Sequence, residues 1–203
     1  MTILYELDGG LYVNVTNKCP CSCIFCIRQN GDCIRESDSL WFGEEEPSVA
    51  QIIAEFDKWD LSKYNEIVFC GYGEPLERLD DVKEICRHLR GITKLPIRLN
   101  TNGLSDLIAG REHTALELEG LFDTVSISLN APDAKSFVEV TNSCYGEQSF
   151  DSMLAFAKEC KTVVPRVVFT VVDVITPEQI AQCQVIADSL GIPLRVRTYI
   201  KQY

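Results

Sequence analysis

Short runs of β-branched and apolar residues alternate along this chain with segments whose apolar residues recur every third or fourth position. That alternation limits the fold more than any other feature. Leu11 to Thr16, Glu66 to Cys70, Ile97 to Asn100, Thr124 to Leu129, Arg166 to Val172 and Leu194 to Thr198 read as six strands. Between them lie helical patterns. Ser48 caps one with Val49, Ile52, Ile53 and Phe56 on one face, and Asp80 to Arg90 forms the next. Ser105 to Leu121 is helical but broken at Gly110, and Phe150, Met153, Leu154 and Ala157 share a helical face. Thr176-Pro177-Glu178-Gln179 is a capping box that starts a helix ended by Gly191. Strands joined by such long crossovers pair in parallel, with right-handed connections. The expectation is an α/β fold: a partial, TIM-like (β/α)6 barrel of parallel strands, with a doubly wound open sheet as the alternative. At 203 residues, one domain spanning 1–203 is expected.

In parallel α/β sheets the functional site lies at the carboxyl ends of the strands. Here the unusual residues gather there. The first strand leads into Cys19-Pro20-Cys21-Ser22-Cys23-Ile24-Phe25-Cys26, and the second into Gly71-Tyr72-Gly73-Glu74-Pro75. The third is followed by Thr101-Asn102-Gly103, and the fourth runs through Ser126 and Ser128 into Asn130. The fifth and sixth end near Asp173 and Tyr199. Five of the ten cysteines fall between Cys19 and Cys33. The first residues carry no basic, apolar leader, so a reducing, cytoplasmic setting is expected, in which clustered cysteines signal metal binding or catalysis. The net charge of −11 argues against duplex nucleic acid as a partner, and only Arg195, Arg197 and Lys201 approach a basic groove. No stretch is long and apolar enough to suggest a membrane partner.

Cys19, Cys23 and Cys26 are spaced C-x3-C-x2-C. Three thiolates cannot close a tetrahedral zinc site alone, but they can hold three irons of a cubane cluster and leave the fourth open. The chain thereby resembles the radical S-adenosylmethionine superfamily, whose loop after the first strand has this spacing with an aromatic, here Phe25, before the last cysteine. Gly71-Tyr72-Gly73-Glu74-Pro75 resembles the family's glycine-rich motif, and Ser126 to Ala131 its fourth-strand motif. Asn100-Thr101-Asn102-Gly103 is similar to its third-strand T-N-G. Tyr12 to Cys33 (YVNVTNKCPCSCIFCIRQNGDC) looks most like the small members encoded beside TatD-type nucleases.

The resemblance implies a [4Fe-4S] cluster on Cys19, Cys23 and Cys26, with S-adenosylmethionine chelated at the open iron. It implies one-electron cleavage of that ligand to methionine and a 5′-deoxyadenosyl radical, which takes hydrogen from a substrate. Phe25, Gly71, Tyr72, Gly73, Glu74, Asn102, Ser128, Asn130 and Asp173 are then the expected cofactor-binding residues. Gly71 and Gly73 would allow close backbone approach, and Glu74 would accept from an ammonium. The partners implied are a small-molecule or peptide substrate, a low-potential electron donor such as flavodoxin or ferredoxin, and a protein covering the barrel mouth. Other readings of the same cysteines are a zinc knuckle, an iron- or redox-sensing module without catalysis, and a thiol–disulfide oxidoreductase at Cys23 and Cys26. Cys21 lies at a free position of the spacing, Cys33 is a free thiol or a ligand elsewhere, and Cys144 has no assignment. Cys70, Cys86, Cys160 and Cys183 read as packing residues, and Glu44-Glu45-Glu46 as a solvated acidic face.

Overall fold

A computed structural model describes residues 2–29 and 39–199. Cys33 and Lys201 fall outside these residues. The sheet has seven strands in sequence order: β1 (Leu4–Leu7), β2 (Gly10–Val13), β3 (Glu66–Phe69), β4 (Ile97–Thr101), β5 (Thr124–Ser128), β6 (Arg166–Val172) and β7 (Leu194–Arg197). Strands β2 to β7 are parallel, as the alternating pattern predicts. β1 pairs only with β2 and β7 only with β6, so the barrel is not closed.

β1 is an addition to the sequence reading, which began the sheet at Leu11. It runs antiparallel to β2 through a turn at Asp8 and Gly9, both with positive φ (49° and 80°). An Asp-Gly pair suits such a two-residue hairpin, because the turn's twist matches that of the strands.

The helices are α1 (Val49–Phe56), α2 (Leu79–Ile92), α3 (Ser105–Ala109), α4 (Ala134–Thr141), α5 (Gln148–Val163) and α6 (Pro177–Leu190). Ser48 and Gln51 form a reciprocal capping box on α1, and Thr176 and Gln179 do the same for α6. Gly191 ends α6 in the left-handed conformation. The segment read as one broken helix is the short α3, stopped at left-handed Gly110, then a 3-10 turn at Thr114–Leu118.

Alternation along the strands divides the sheet into two faces. Leu11, Val13, Ile67, Phe69, Ile97, Leu99, Val125, Ile127, Phe169 and Val171 are buried in one core with helix residues such as Ile85, Phe156 and Ala157. Phe69 meets Phe122 edge-on, with ring centroids 5.7 Å apart. Cys86, Cys160 and Cys183 are buried in the same core, as their helical spacing predicts. The intervening residues, among them Arg98, Asn100, Ser126, Ser128 and Thr170, form the opposite, concave face. Both faces meet the loops at the carboxyl ends of the strands.

Candidate functional site

Beyond β2 the chain continues as Asn14, Val15 and Thr16, all buried, and then turns into the cysteine loop. Asn14 fixes this exit. It is 0% exposed, its Nδ2 donates to Leu40 O (2.7 Å) and Thr2 O (3.3 Å), and its Oδ1 accepts from Tyr72 N (3.3 Å). One oxygen of Glu46 accepts from Thr16 Oγ1 (2.6 Å) and Asn17 N (2.9 Å). Glu46 therefore belongs to the site's support rather than to a purely solvated acidic face. Arg78 adds two bonds of 2.7 Å from Nη1, to Val15 O and Pro47 O.

The cysteine loop is strapped to the far end of α4. Ser22 N donates to Thr141 O (2.9 Å) and Ile24 N to Val140 O (3.0 Å). Cys144 N donates to Pro20 O (2.9 Å), and Asn142 Nδ2 donates to Ser22 O (3.0 Å). The even-numbered residues 20, 22 and 24 take these bonds. Phe25 and Cys21 pack against the main core. Cys19, Cys21, Cys23 and Cys26 are all half-buried and free of disulfides. The Cys21 thiol is hydrogen-bonded to those of Cys19 and Cys23.

The electrostatics suit thiols held in reserve for metal. The bond with Cys21, followed by burial, pushes the Cys19 thiol up. At Cys21 the bond with Cys19 pulls the thiol down, but the bond with Cys23 and burial outweigh it. Burial raises Cys26. Cys19, Cys21 and Cys26 thus keep their protons at neutral pH in the metal-free chain, and a thiol that binds metal releases its proton.

Glu74 ties the neighbouring strand ends together. It is 4% exposed. Its Oε1 accepts from Thr101 Oγ1 (2.8 Å) and Leu76 N (3.1 Å), its Oε2 from Asn102 N (2.7 Å), and its own N–H donates to Lys18 O (2.8 Å). Burial pushes its carboxyl up to about 7, against those donors. The sequence suggested an ammonium acceptor, and the structure engages both oxygens internally. The glycines also have a nearer reason than ligand approach. A Cβ on Gly71 would lie 2.0 Å from Asn14 Oδ1, and one on Gly73 would lie 2.3 Å from Thr16 O and 2.5 Å from Lys18 O. Both let the β3 loop press against the exit of β2.

The remaining expected residues distribute as follows. Tyr72 is buried with Tyr5 and Leu40, edge-on to Trp41 at 5.1 Å. Asn102 lies at the β4 end, its Oδ1 accepting from Leu104 N and its Nδ2 reaching Cys21 Sγ at 4.0 Å. Ser128 closes β5 opposite Thr170, and Asn130 follows with φ 56° and its N–H on Thr170 O (3.3 Å). Asp173 is exposed, and its Oδ1 accepts from Tyr199 N (2.6 Å). The structure brings Cys19, Cys21, Cys23, Cys26, Glu74 and Asn102 into one neighbourhood; Asp173 stands at the far, β6–β7 end of the strand-end row. Sequence reasoning missed Asn14, Glu46, Arg78 and Asn142. Asn14 carried a signal, a polar residue set between the apolar Val13 and Val15 at the end of its strand.

Among the described residues, no three Cys, His, Asp or Glu side chains converge as ligands of a single metal ion. The donor set, all sulfur and on one strapped loop, fits the thiolate ligation of an iron–sulfur cluster.

The model of the radical SAM superfamily matches residues 13–189. The chain belongs to that superfamily. Among curated relatives, it is 32% identical over 136 residues to the dual-specificity RNA methyltransferase RlmN of Helicobacter pylori, which spans 64% of this chain and 36% of that protein. It is 30% identical over 132 residues to a probable GTP 3′,8-cyclase of Methanosarcina acetivorans, covering 65% of this chain and 36% of the cyclase. The match thus covers about a third of each curated relative's length. A solved radical SAM methyltransferase from Sphaerobacter thermophilus shares the fold with a TM-score of 0.61 at 16% identity, over 96% of this chain and 68% of that one. No helix among the described residues is long and apolar enough to cross a membrane.

Proposed function

We propose that this radical SAM protein is an enzyme that generates a 5′-deoxyadenosyl radical from S-adenosylmethionine and uses it to take hydrogen from an organic substrate. One observation carries the reading: four half-buried thiols sit on a loop held from three sides, by α4, by the β3 loop and by Glu46, at the carboxyl end of the sheet. Cys19, Cys23 and Cys26 would hold the [4Fe-4S] cluster, which supplies the electron that cleaves the sulfonium bond.

The chain's own residues bind and orient. The α4 strap sets the loop's height above the barrel, and Phe25 anchors its end in the core. Glu74 locks the β4 turn to the β3 turn, which fixes Asn102 beside the cysteine loop. Ser128 and Asn130 offer a hydroxyl and an amide at the β5 end for the methionyl and ribose part of the ligand. Tyr72 and Trp41 shield the neighbouring rim from water.

Within the superfamily, the Tyr12–Cys33 stretch favours the small TatD-nuclease-linked branch. The same reading brings with it a cytoplasmic setting, a flavodoxin- or ferredoxin-type electron donor and a partner over the open mouth. The test is anaerobic reconstitution with iron and sulfide, then dithionite and S-adenosylmethionine. We expect 5′-deoxyadenosine from the parent and from Cys21→Ala, and none from Cys23→Ala or Cys26→Ala. A protein that loads a cluster without cleaving the ligand is a sensor, and one that binds no iron refutes the assignment outright.

A further inference from the structure

The Arg195–Arg197 end of the sheet is not used by the reading above. Cross-strand partners share a face of a sheet. Ser128 pairs with Thr170, Thr170 with Arg195, and Val172 with Arg197. Ser128, Thr170 and Arg195 thus form one row across β5, β6 and β7, and Arg197 stands two residues further toward the mouth. This is the concave face, because the alternate residues Ile127, Phe169 and Val171 are buried with the helices.

Arg98, on the same face of the sheet, is already neutralised. It holds Glu66 through Nε (3.0 Å) and Nη2 (2.7 Å) and donates to Asn100 Oδ1 (2.9 Å). Arg195 and Arg197 have no carboxylate within ion-pair reach among the described residues. Asp173, which follows β6, is engaged by Tyr199 N instead. Both arginines are exposed on the last strand of the sheet, two residues apart on one face in a chain of net charge −11.

We propose that Arg195 and Arg197 bind an oxyanion (a carboxylate or phosphate) carried by the substrate. Two planar guanidinium forks match such groups bidentately. The anion's position at the β5–β7 side places the rest of the substrate between that wall and the cysteine loop. The assignment to substrate rests on the proposed function; anion binding itself does not.

The test titrates inorganic phosphate, and separately acetate, into the metal-free reduced chain in low-salt buffer, followed by calorimetry. We expect phosphate or acetate to bind and Arg195→Gln/Arg197→Gln to weaken it at least tenfold. Arg197→Lys should be intermediate, and Arg87→Gln on the exposed face of α2 should change nothing. A circular-dichroism melt confirms that each variant is folded. In parallel, S-adenosylmethionine affinity of the iron-loaded protein should stay within twofold in the double variant. The proposal is overturned if neither anion binds the parent, or if the double variant binds as the parent does. It is equally overturned if S-adenosylmethionine affinity falls with the arginines, since they would then serve the methionyl carboxylate. Failure to load iron would sink the proposed function while the metal-free titration still decides the oxyanion subsite.

Discussion

Replacing Gly73 by alanine tests how the cysteine loop is held. The new methyl would lie 2.3 Å from Thr16 O, 2.5 Å from Lys18 O and 2.8 Å from Thr16 C. These are backbone atoms, so no side-chain rotation relieves the clash. Lys18 O is also the acceptor for Glu74 N, and that 2.8 Å bond must break or stretch as the loop retreats. Overpacking against a fixed wall costs about 1–3 kcal/mol, and a lost hydrogen bond about 0.5–1.5 kcal/mol more. The sum, roughly 2–4 kcal/mol, lowers the melting temperature by about 5–15 °C in a domain of this size. Because the displaced segment is the one that leads into Cys19, iron content after reconstitution should fall in parallel. Gly91→Ala is the internal control: a Cβ there meets nothing within 4 Å, and alanine at a helix end should be neutral or stabilising by up to ~1 kcal/mol. If Gly73→Ala melts within a degree or two of Gly91→Ala and loads iron as well, the close approach of the two loops is not what glycine is there for.

Three further outcomes follow from the same contacts. Glu74 titrates near 7 when folded against 4.5 in the unfolded chain. Its contribution to stability is therefore complete below about pH 4.5 and is lost as pH rises through 7, a swing on the order of 3 kcal/mol. Urea unfolding of the metal-free chain at pH 5 and pH 8 should show that swing shrinking in Glu74→Gln; an identical pH dependence in both proteins would contradict it. Glu74→Gln should also cost about 1–3 kcal/mol at pH 5, because whichever way the amide is turned its NH2 faces an N–H or hydroxyl donor. At the strap, Asn142→Gly keeps the left-handed backbone (φ 46°) but removes the bond to Ser22 O, so its melting point should fall by only a few degrees while iron is lost faster to a chelator. Asn142→Ala adds the left-handed penalty of about 1 kcal/mol and should melt lower still; equal chelation rates in all three proteins would remove the strap from the site.

The six parallel strands and the row of polar residues at their ends were legible because both are local patterns: period-two alternation, then a turn or a cysteine run. The reasons those end residues are needed were not. Gly71 and Gly73 look like ligand-approach glycines in sequence, yet what excludes a side chain is Asn14, 57 positions before Gly71, and the carbonyls of Thr16 and Lys18. Glu74 looks like an open acceptor, and only the fold brings Thr101 and Asn102 beneath it. Asn142 reaches Ser22 across 120 residues, a separation at which a single sequence carries no signal. β1 is the opposite case, since Asp8-Gly9 is a readable hairpin turn that lay just ahead of the alternation. The division has a physical cause. Cluster ligands are chosen by chemistry that a motif can display, whereas the side chains that hold a ligand loop in place are chosen by what the folded chain happens to set against it. For this site the second group, Asn14, Glu46, Glu74 and Asn142, determines where the thiols stand, so variation at these positions should alter cluster retention even where all four cysteines are kept.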